Sequence, residues 1–197
     1  MKTTAITLAL TLAASSCGIG VNNGNLTTVN TTPEPFNAIH ILGACELSFS
    51  QADTSSVTIE CTDRLLPLIS AEVPDGSSTL TIQYTENVSI NKGDVKVTVT
   101  SPTLNKVKVD GAAAIELGDL KTSTFECEIN GAAAVNIKSI DCESLAATIN
   151  GAGSIKLAGN NTGHSEFNIM GTGVINAQKF SSASVSKTVS GIGIVRL

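Results

Sequence analysis

Tryptophan is absent from the 197-residue chain, and rings are 3% of it: Phe36, Phe49, Tyr84, Phe125, Phe167 and Phe180. A core with so few rings must be filled by Ile, Val, Leu and Ala in thin, regular layers. Charged residues amount to only 15%, with a net charge of -5, and the basic residues form no run. A nucleic-acid binder needs a positive stripe along the phosphate backbone, so that class is excluded. The apolar stretch Ala5 to Ala14 is too short to span a bilayer. No cysteine spacing matches a zinc site, and no metal or other cofactor is expected. By length the chain is about one domain.

What is present is a beat. Gly111, Gly131, Gly151, Gly171 and Gly191 recur every 20 residues, without insertion or deletion. Two positions earlier stand Val109, Ile129, Ile149, Ile169 and Val189, and four positions later Ile115, Val135, Ile155, Ile175 and Val195. Short periods of this kind mark stacked-repeat architectures. Within each copy, apolar and polar residues alternate as strands do (Phe125, Cys127 and Ile129 against Glu126, Glu128 and Asn130). Twenty extended residues give a perimeter of roughly 60–70 Å, a three-sided coil. The predicted fold is therefore all-β: a single-stranded, right-handed β-helix, or β-solenoid, with residue i beside i+20. Opposite charges then meet between coils, Lys106 beside Glu126 and Lys108 beside Glu128. Lys187 breaks the inward column one coil from the end, as suits a rung that water reaches.

The remaining segments fall into order around these coils. Residues 1–16 read as a signal peptide: Met1-Lys2, the apolar core, then Ala14-Ser15-Ser16. Cys17 follows directly, which resembles a bacterial lipobox with Ala14 where leucine is usual. Lipidation at Cys17 would anchor the protein to a membrane; the alternative is ordinary secretory cleavage after Ser16. Residues 17–35 read as a flexible tether, rich in Gly, Asn, Thr and Pro. Residues 36–104 are strand-rich but aperiodic and read as a cap or as distorted first coils, since a solenoid must cover its open end. Residues 105–197 are the regular coils. Of the remaining cysteines, Cys127 falls in the inward column of Val107, Ala147 and Phe167 and reads as core filler. Cys142 occupies a different corner. Cys45 and Cys61 lie on neighbouring strands, where an exported protein could join them or leave them reduced.

Candidate chemistry is sparse. His40 alternates with Ile39 and Ile41 and is expected to face solvent. His164 falls in the Gly159 to Gly163 corner, read as a loop. No Ser/His/Asp arrangement can be specified. Glu126 and Glu166 share a column about 10 Å apart, slightly wide for a glycosidase pair. Asp110, Asn130 and Asn150 form one column, which Met170 and Ser190 end, and they read as a hydrogen-bonded corner ladder. The glycines are not followed by helices, so they are not phosphate loops. No catalytic residue is assigned.

Phe36-x-x-Ile39, Ser101-Pro102-x-Leu104 and the repeated apolar-x-Gly-x-Gly-x-Ile units resemble the putative auto-transporter adhesin, head GIN domain family. The resemblance covers about Phe36 to Leu197, although the first two coils carry Gly-Ala-Ala-Ala where the family favours Gly-x-Gly. It implies a right-handed β-helix, exported as a lipoprotein of the cell envelope and located at the outer membrane. It implies a non-enzymatic adhesion, scaffold or binding module, with an envelope protein or a glycan as partner. The alternative is a polysaccharide-processing β-helix enzyme, a lyase or glycoside hydrolase. The sequence stops on a bare coil, which invites homo-oligomerisation there.

Overall fold

A computed structural model describes residues 24–85 and 94–197; Cys17 and the leader lie outside them. Among the described residues, fourteen strands form one curled sheet, a β-solenoid of about 5 turns with coils of roughly 20 residues. In chain order the strands are β1 (Leu26–Thr31), β2 (Ala38–Ile41), β3 (Ala44–Gln51), β4 (Ser56–Thr62), β5 (Ile69–Glu72), β6 (Thr79–Tyr84) and β7 (Lys96–Ser101). Then come β8 (Lys106–Val109), β9 (Ala112–Lys121), β10 (Thr124–Ile129), β11 (Ala132–Ile149), β12 (Ala152–Ile169), β13 (Thr172–Val189) and β14 (Ile192–Arg196).

The 20-residue register holds through the coils except at one corner of β12. Lys106 pairs with Glu126, Cys127 with Ala147, Ile129 with Ile149, and Ile155 with Ile175. Each long strand bends around corners, so one half joins the sheet that ends at residues 184–189 and the other half the sheet that ends at β14. The inward columns are dry: Ile129, Ile149, Ile155, Phe167, Ile169 and Ile175 are all fully buried. Cys127 is buried among them, as its column requires.

Glycine recurs because the coils touch at that corner. A Cβ on Gly131, Gly151 or Gly171 would lie 1.9–2.0 Å from the carbonyl oxygen of the glycine one coil earlier. That same carbonyl accepts the N–H of the residue after the glycine, as Ala152 N–H donates to Gly131 O at 2.9 Å. The column begins before the periodic region: Gly111 stacks on Gly43, and Gly43 lies under the ring of Tyr84, whose hydroxyl donates to the Ala44 carbonyl.

The aperiodic segment is a coil out of order. β2 and β3 form the first coil of the chain, yet in space they lie between β6–β7 and β8–β9. The intervening chain returns to lay a coil on the other side, and the antiparallel strands β4 and β5 run back along it, with β1 outside β4. The expected cap is therefore both things at once, one coil plus a set of reversed strands. The two family-like motifs meet here, since the buried Ser101 hydroxyl donates to the Phe36 carbonyl at 2.8 Å. Gln51 clamps the same end, donating to Pro102 O (2.7 Å) and accepting from Lys121 N–H (2.8 Å).

One expectation changes, and one open alternative is decided. Part of the segment read as a tether is strand: Thr27 to Thr31 pair with Cys61 to Val57, and Val29 is buried. Its Thr-Val-Asn alternation, hidden in polar composition, has a partner only once the cap is folded. Cys45 and Cys61 are both buried and both free. Glu46 and Glu60 each pair with Lys96 of β7; carried one residue on, that register puts β7 between the two cysteines. Two strand spacings separate them, about 9.6 Å, beyond the reach of a disulfide.

Candidate functional site

Strand β12 departs from the beat in one place, and the departure makes a site. Ile137 pairs with Leu157, but Ile140 pairs with Gly159: two residues of β11 oppose one of β12. On the other side, Lys156 pairs with Asn176 and Ala158 with Lys179, so β13 also carries one extra residue. The lost residue is recovered at the next corner, where Asn161 to His164 opposes Cys142 to Ser144. Gly159 makes the short corner possible, with φ at +124° and no side chain between it and Ile140 O. Phe180, paired with Gly159, meets Phe167 edge-on, ring centroids 6.4 Å apart.

A recessed corner between two full ones leaves a notch of about 250 Å³. Lys138 comes from the coil on one side, Lys156 from the recessed coil, and Lys179 from the coil on the other. Asn136, Asn176 and Gln178 add amides; Ile137 and Leu157, whose side chains are buried in the core, and the half-buried Ala158 complete the lining. The 20-residue count puts Lys179 with Ser139; the slip moves it opposite Ala158. Bulges often re-aim side chains beside functional sites. The dispersed basic residues of the sequence thus come together, against expectation, because a bulge cannot be seen in column arithmetic.

The notch differs in sign from the rest of the molecule. From Ser144 onward Glu166 is the one acidic residue, against Lys156, Lys179, Lys187 and Arg196, in a chain whose net charge is -5. Lys138 meets Asp119 at 3.3 Å, both well exposed. Asn136 donates to Glu116 at 2.6 Å, which leaves its carbonyl oxygen open. Asn176 accepts the Gln178 N–H at 3.2 Å, which leaves its NH₂ as a donor. A second depression of about 580 Å³ lies at Gly24, Asn25, Asp63 and Arg64. With one side chain of each sign, it selects for neither.

The other candidates are absorbed by stacking. Asn150 donates to Asn130 (2.7 Å) and Asn130 to Asp110 (2.6 Å), so the corner ladder exists. His40 tops it, bonded through Nε2 to Asp110, and is half-buried rather than fully in solvent. Asp110 is held below the usual carboxylate range chiefly by the Asn130 amide; burial opposes this, and His40 and Lys108 add smaller lowering effects. Lys106 bonds Glu126 at 2.9 Å as predicted; Lys108 pairs in register with Glu128, but its amine goes to Asp110 at 3.5 Å. Glu166 accepts from Asn168 at 2.9 Å.

His164 is in a strand, not a loop: the recovered residue returns it to register with Ser144 and Ser184. Its two ring nitrogens meet the hydroxyls of Ser184 (2.9 Å) and Ser186 (3.0 Å), so no carboxylate orients it as a base. The slip also places Asn161, rather than Thr162, in the Cys142 column. There Asn161 is buried, and its amide donates to His164 O and Ser165 Oγ while accepting from Gly163 N–H.

The comparisons agree with this architecture. A putative adhesin from Bacteroides fragilis NCTC 9343 is 26% identical, with a TM-score of 0.82 over 90% of this chain and 82% of that one. A putative adhesin from Parabacteroides distasonis ATCC 8503 is 21% identical, with a TM-score of 0.64 over 88% and 82%. A putative lipid binding protein from the same organism is 16% identical, with a TM-score of 0.65 over 88% and 97%; at such identities the likeness concerns the fold alone. No curated protein matches the chain. The model of the family described as "Putative auto-transporter adhesin, head GIN domain" matches residues 35–197, nearly all of the folded part, and the chain belongs to that family.

Proposed function

We propose that this protein is a non-enzymatic adhesion or binding module of the cell envelope, held at the outer membrane by a lipid on Cys17. The observation that carries the reading is the chemistry of the notch. Its lining consists of amines, amides and aliphatic groups, with no carboxylate, imidazole, hydroxyl or thiol. Such a site grips a ligand through hydrogen bonds and charge. A glycosidase needs two carboxyl groups flanking the bond, and acyl transfer needs a nucleophile beside a base. The family's adhesin designation fits an exported or cell-surface protein with this role.

The test has two arms. Purified protein immobilised on beads should retain envelope or matrix polysaccharide without shortening it; release of new reducing or unsaturated ends would overturn the binding reading. For the anchor, cells fed an alkyne fatty acid should label the wild-type protein and not Cys17→Ser. Equal labelling of both would remove the lipid from the proposal.

A further inference from the structure

On the binding role proposed above, the geometry points to an acidic sugar residue, bearing a carboxylate or a sulfate ester, as the ligand of the notch built by Lys138, Lys156 and Lys179. Three features converge. The first is charge. Lys156 and Lys179 have no ion-pair partner among the described residues, and Lys138 has only an exposed pair with Asp119. Exposed pairs of that kind are worth a few tenths of a kcal/mol, so an incoming anion competes with Asp119 readily. Lys138, Lys156 and Lys179 outnumber Glu116 and Asp119, the two carboxylates bonded to the lining, and this local excess of cations raises the concentration of anions.

The second feature is the amides. A bare oxyanion needs donors alone, whereas this site offers Asn176 as donor and Asn136 as acceptor. Paired donor and acceptor groups suit hydroxyls, which both give and take hydrogen bonds. Ala158, half-buried between the lysines, supplies a small apolar surface for the C–H face of a ring. No aromatic side chain lines the notch, so the base-stacking platform of a single-stranded nucleic-acid site is missing.

The third feature is size. A volume of 250 Å³ is smaller than the ~300–1,000 Å³ of pockets that enclose a drug-sized ligand. The notch takes one unit of a polymer and leaves the rest in solvent. The lysines come from three successive coils and span about 10 Å along the stack. Lysine serves here as a hydrated point charge, which suits a weak, reversible hold repeated over many molecules.

Calorimetry on the purified chain tests the assignment with trigalacturonate, its methyl ester and a sulfated galactose trimer. The expected result is binding of one or both acidic trimers, with the methyl ester at least tenfold weaker. Whichever acidic trimer binds identifies the anion. Lys156→Ala/Lys179→Ala should lose at least tenfold in affinity with an unchanged melting temperature, since both side chains are exposed. Lys106→Ala, on the other sheet, should bind as wild type. Equal binding of the methyl ester, no binding of either acidic trimer, or an affinity the double variant leaves unchanged would overturn the acidic-sugar assignment and leave a binding module standing. Cleavage of the trimers would instead overturn the binding module itself.

Discussion

Strands β11 and β12 are each 18 residues long and pair in parallel along most of their length, yet their corners are built differently. β11 keeps the 20-residue offset to β9 at every paired position, from Ala132 to Asp141. β12 drops a residue at one corner and regains it at the next. The regular coil hides its side chains in columns and shows water a uniform face. The slipped coil produces the notch, the buried Asn161 amide and the placement of Lys179. Repetition in this protein makes a scaffold, and the chemistry arises where repetition fails.

The comparison can be broken most severely on the regular side. Ile149 is fully buried in a central coil, and Val189, two coils on in the same column, is 44% exposed. Ile149→Asp places an unpaired charge in the core and should cost about 4–5 kcal/mol or more, enough to unfold the domain. Val189→Asp should cost about 1 kcal/mol or less, because water reaches it. Thermal denaturation of both variants checks this; similar losses would mean that the columns do not form one continuous core.

Gly159→Ala attacks the slip itself. An added Cβ would lie 2.1 Å from Ile140 O, on a backbone whose φ of +124° favours glycine. Strain and clash together should remove about 2–4 kcal/mol, read as a lower midpoint in urea. Gly76→Ala is the control: it has a φ of +75°, but open space around the Cβ, and should lose only about 1 kcal/mol.

A gentler change restores the beat. Inserting one serine between Ala158 and Gly159 while deleting Thr162 gives β12 the corner lengths of β11. Stability should stay within about 1 kcal/mol of wild type, since the inward columns on either side are untouched. Binding at the notch should fall at least tenfold, because Lys179 is no longer opposite Ala158. Unchanged binding would show that the slip is incidental to the site.

The columns were legible because a solenoid makes sequence distance and spatial distance interchangeable. Once Gly111 to Gly191 set the period, Cys127 had to be inward and Lys106 had to lie beside Glu126, and both are so. The out-of-order coil was not legible. The approach of Gly43 to Gly111 spans 68 residues, and nothing local says that β6–β7 lies outside β2–β3. The notch was hidden for a different reason. One residue moved between neighbouring corners leaves the glycine beat intact, so counting by 20 gives the right strands and the wrong neighbours from Ala158 to Asn161. The two glycines Gly159 and Gly163 were the available signal, since the preceding coil has Ser139 and Glu143 at the equivalent counts.

The smallest effect at neutral pH concerns the thiols, which distinguish the two kinds of structure by access. Burial pushes Cys127 up to about 12, helped by Glu126 and Glu128, and Cys142 up to about 11, helped by Asp141, from an ordinary value of 9.0. Cys45 and Cys61 rise likewise, to about 12 and about 11. A raised folded value means that the unfolded thiol ionises first. The stabilisation is complete below pH 9 and is lost as pH climbs through 9 toward 11–12. Melting temperature should therefore be flat from pH 7 to 8.5 and fall above 9; a fall beginning below pH 8 would place its origin elsewhere. At pH 8 the folded thiols are protonated and closed off, so alkylation requires local opening. Cys142 lies at the corner where the register returns, and Cys127 in the unbroken column between Val107 and Ala147. Mass-spectrometric labelling should modify Cys142 several-fold faster than Cys127, since the corner has fewer neighbouring ladder bonds to break. Equal rates would mean that the slipped corner opens only with the whole domain, and that the notch is as rigid as the columns around it.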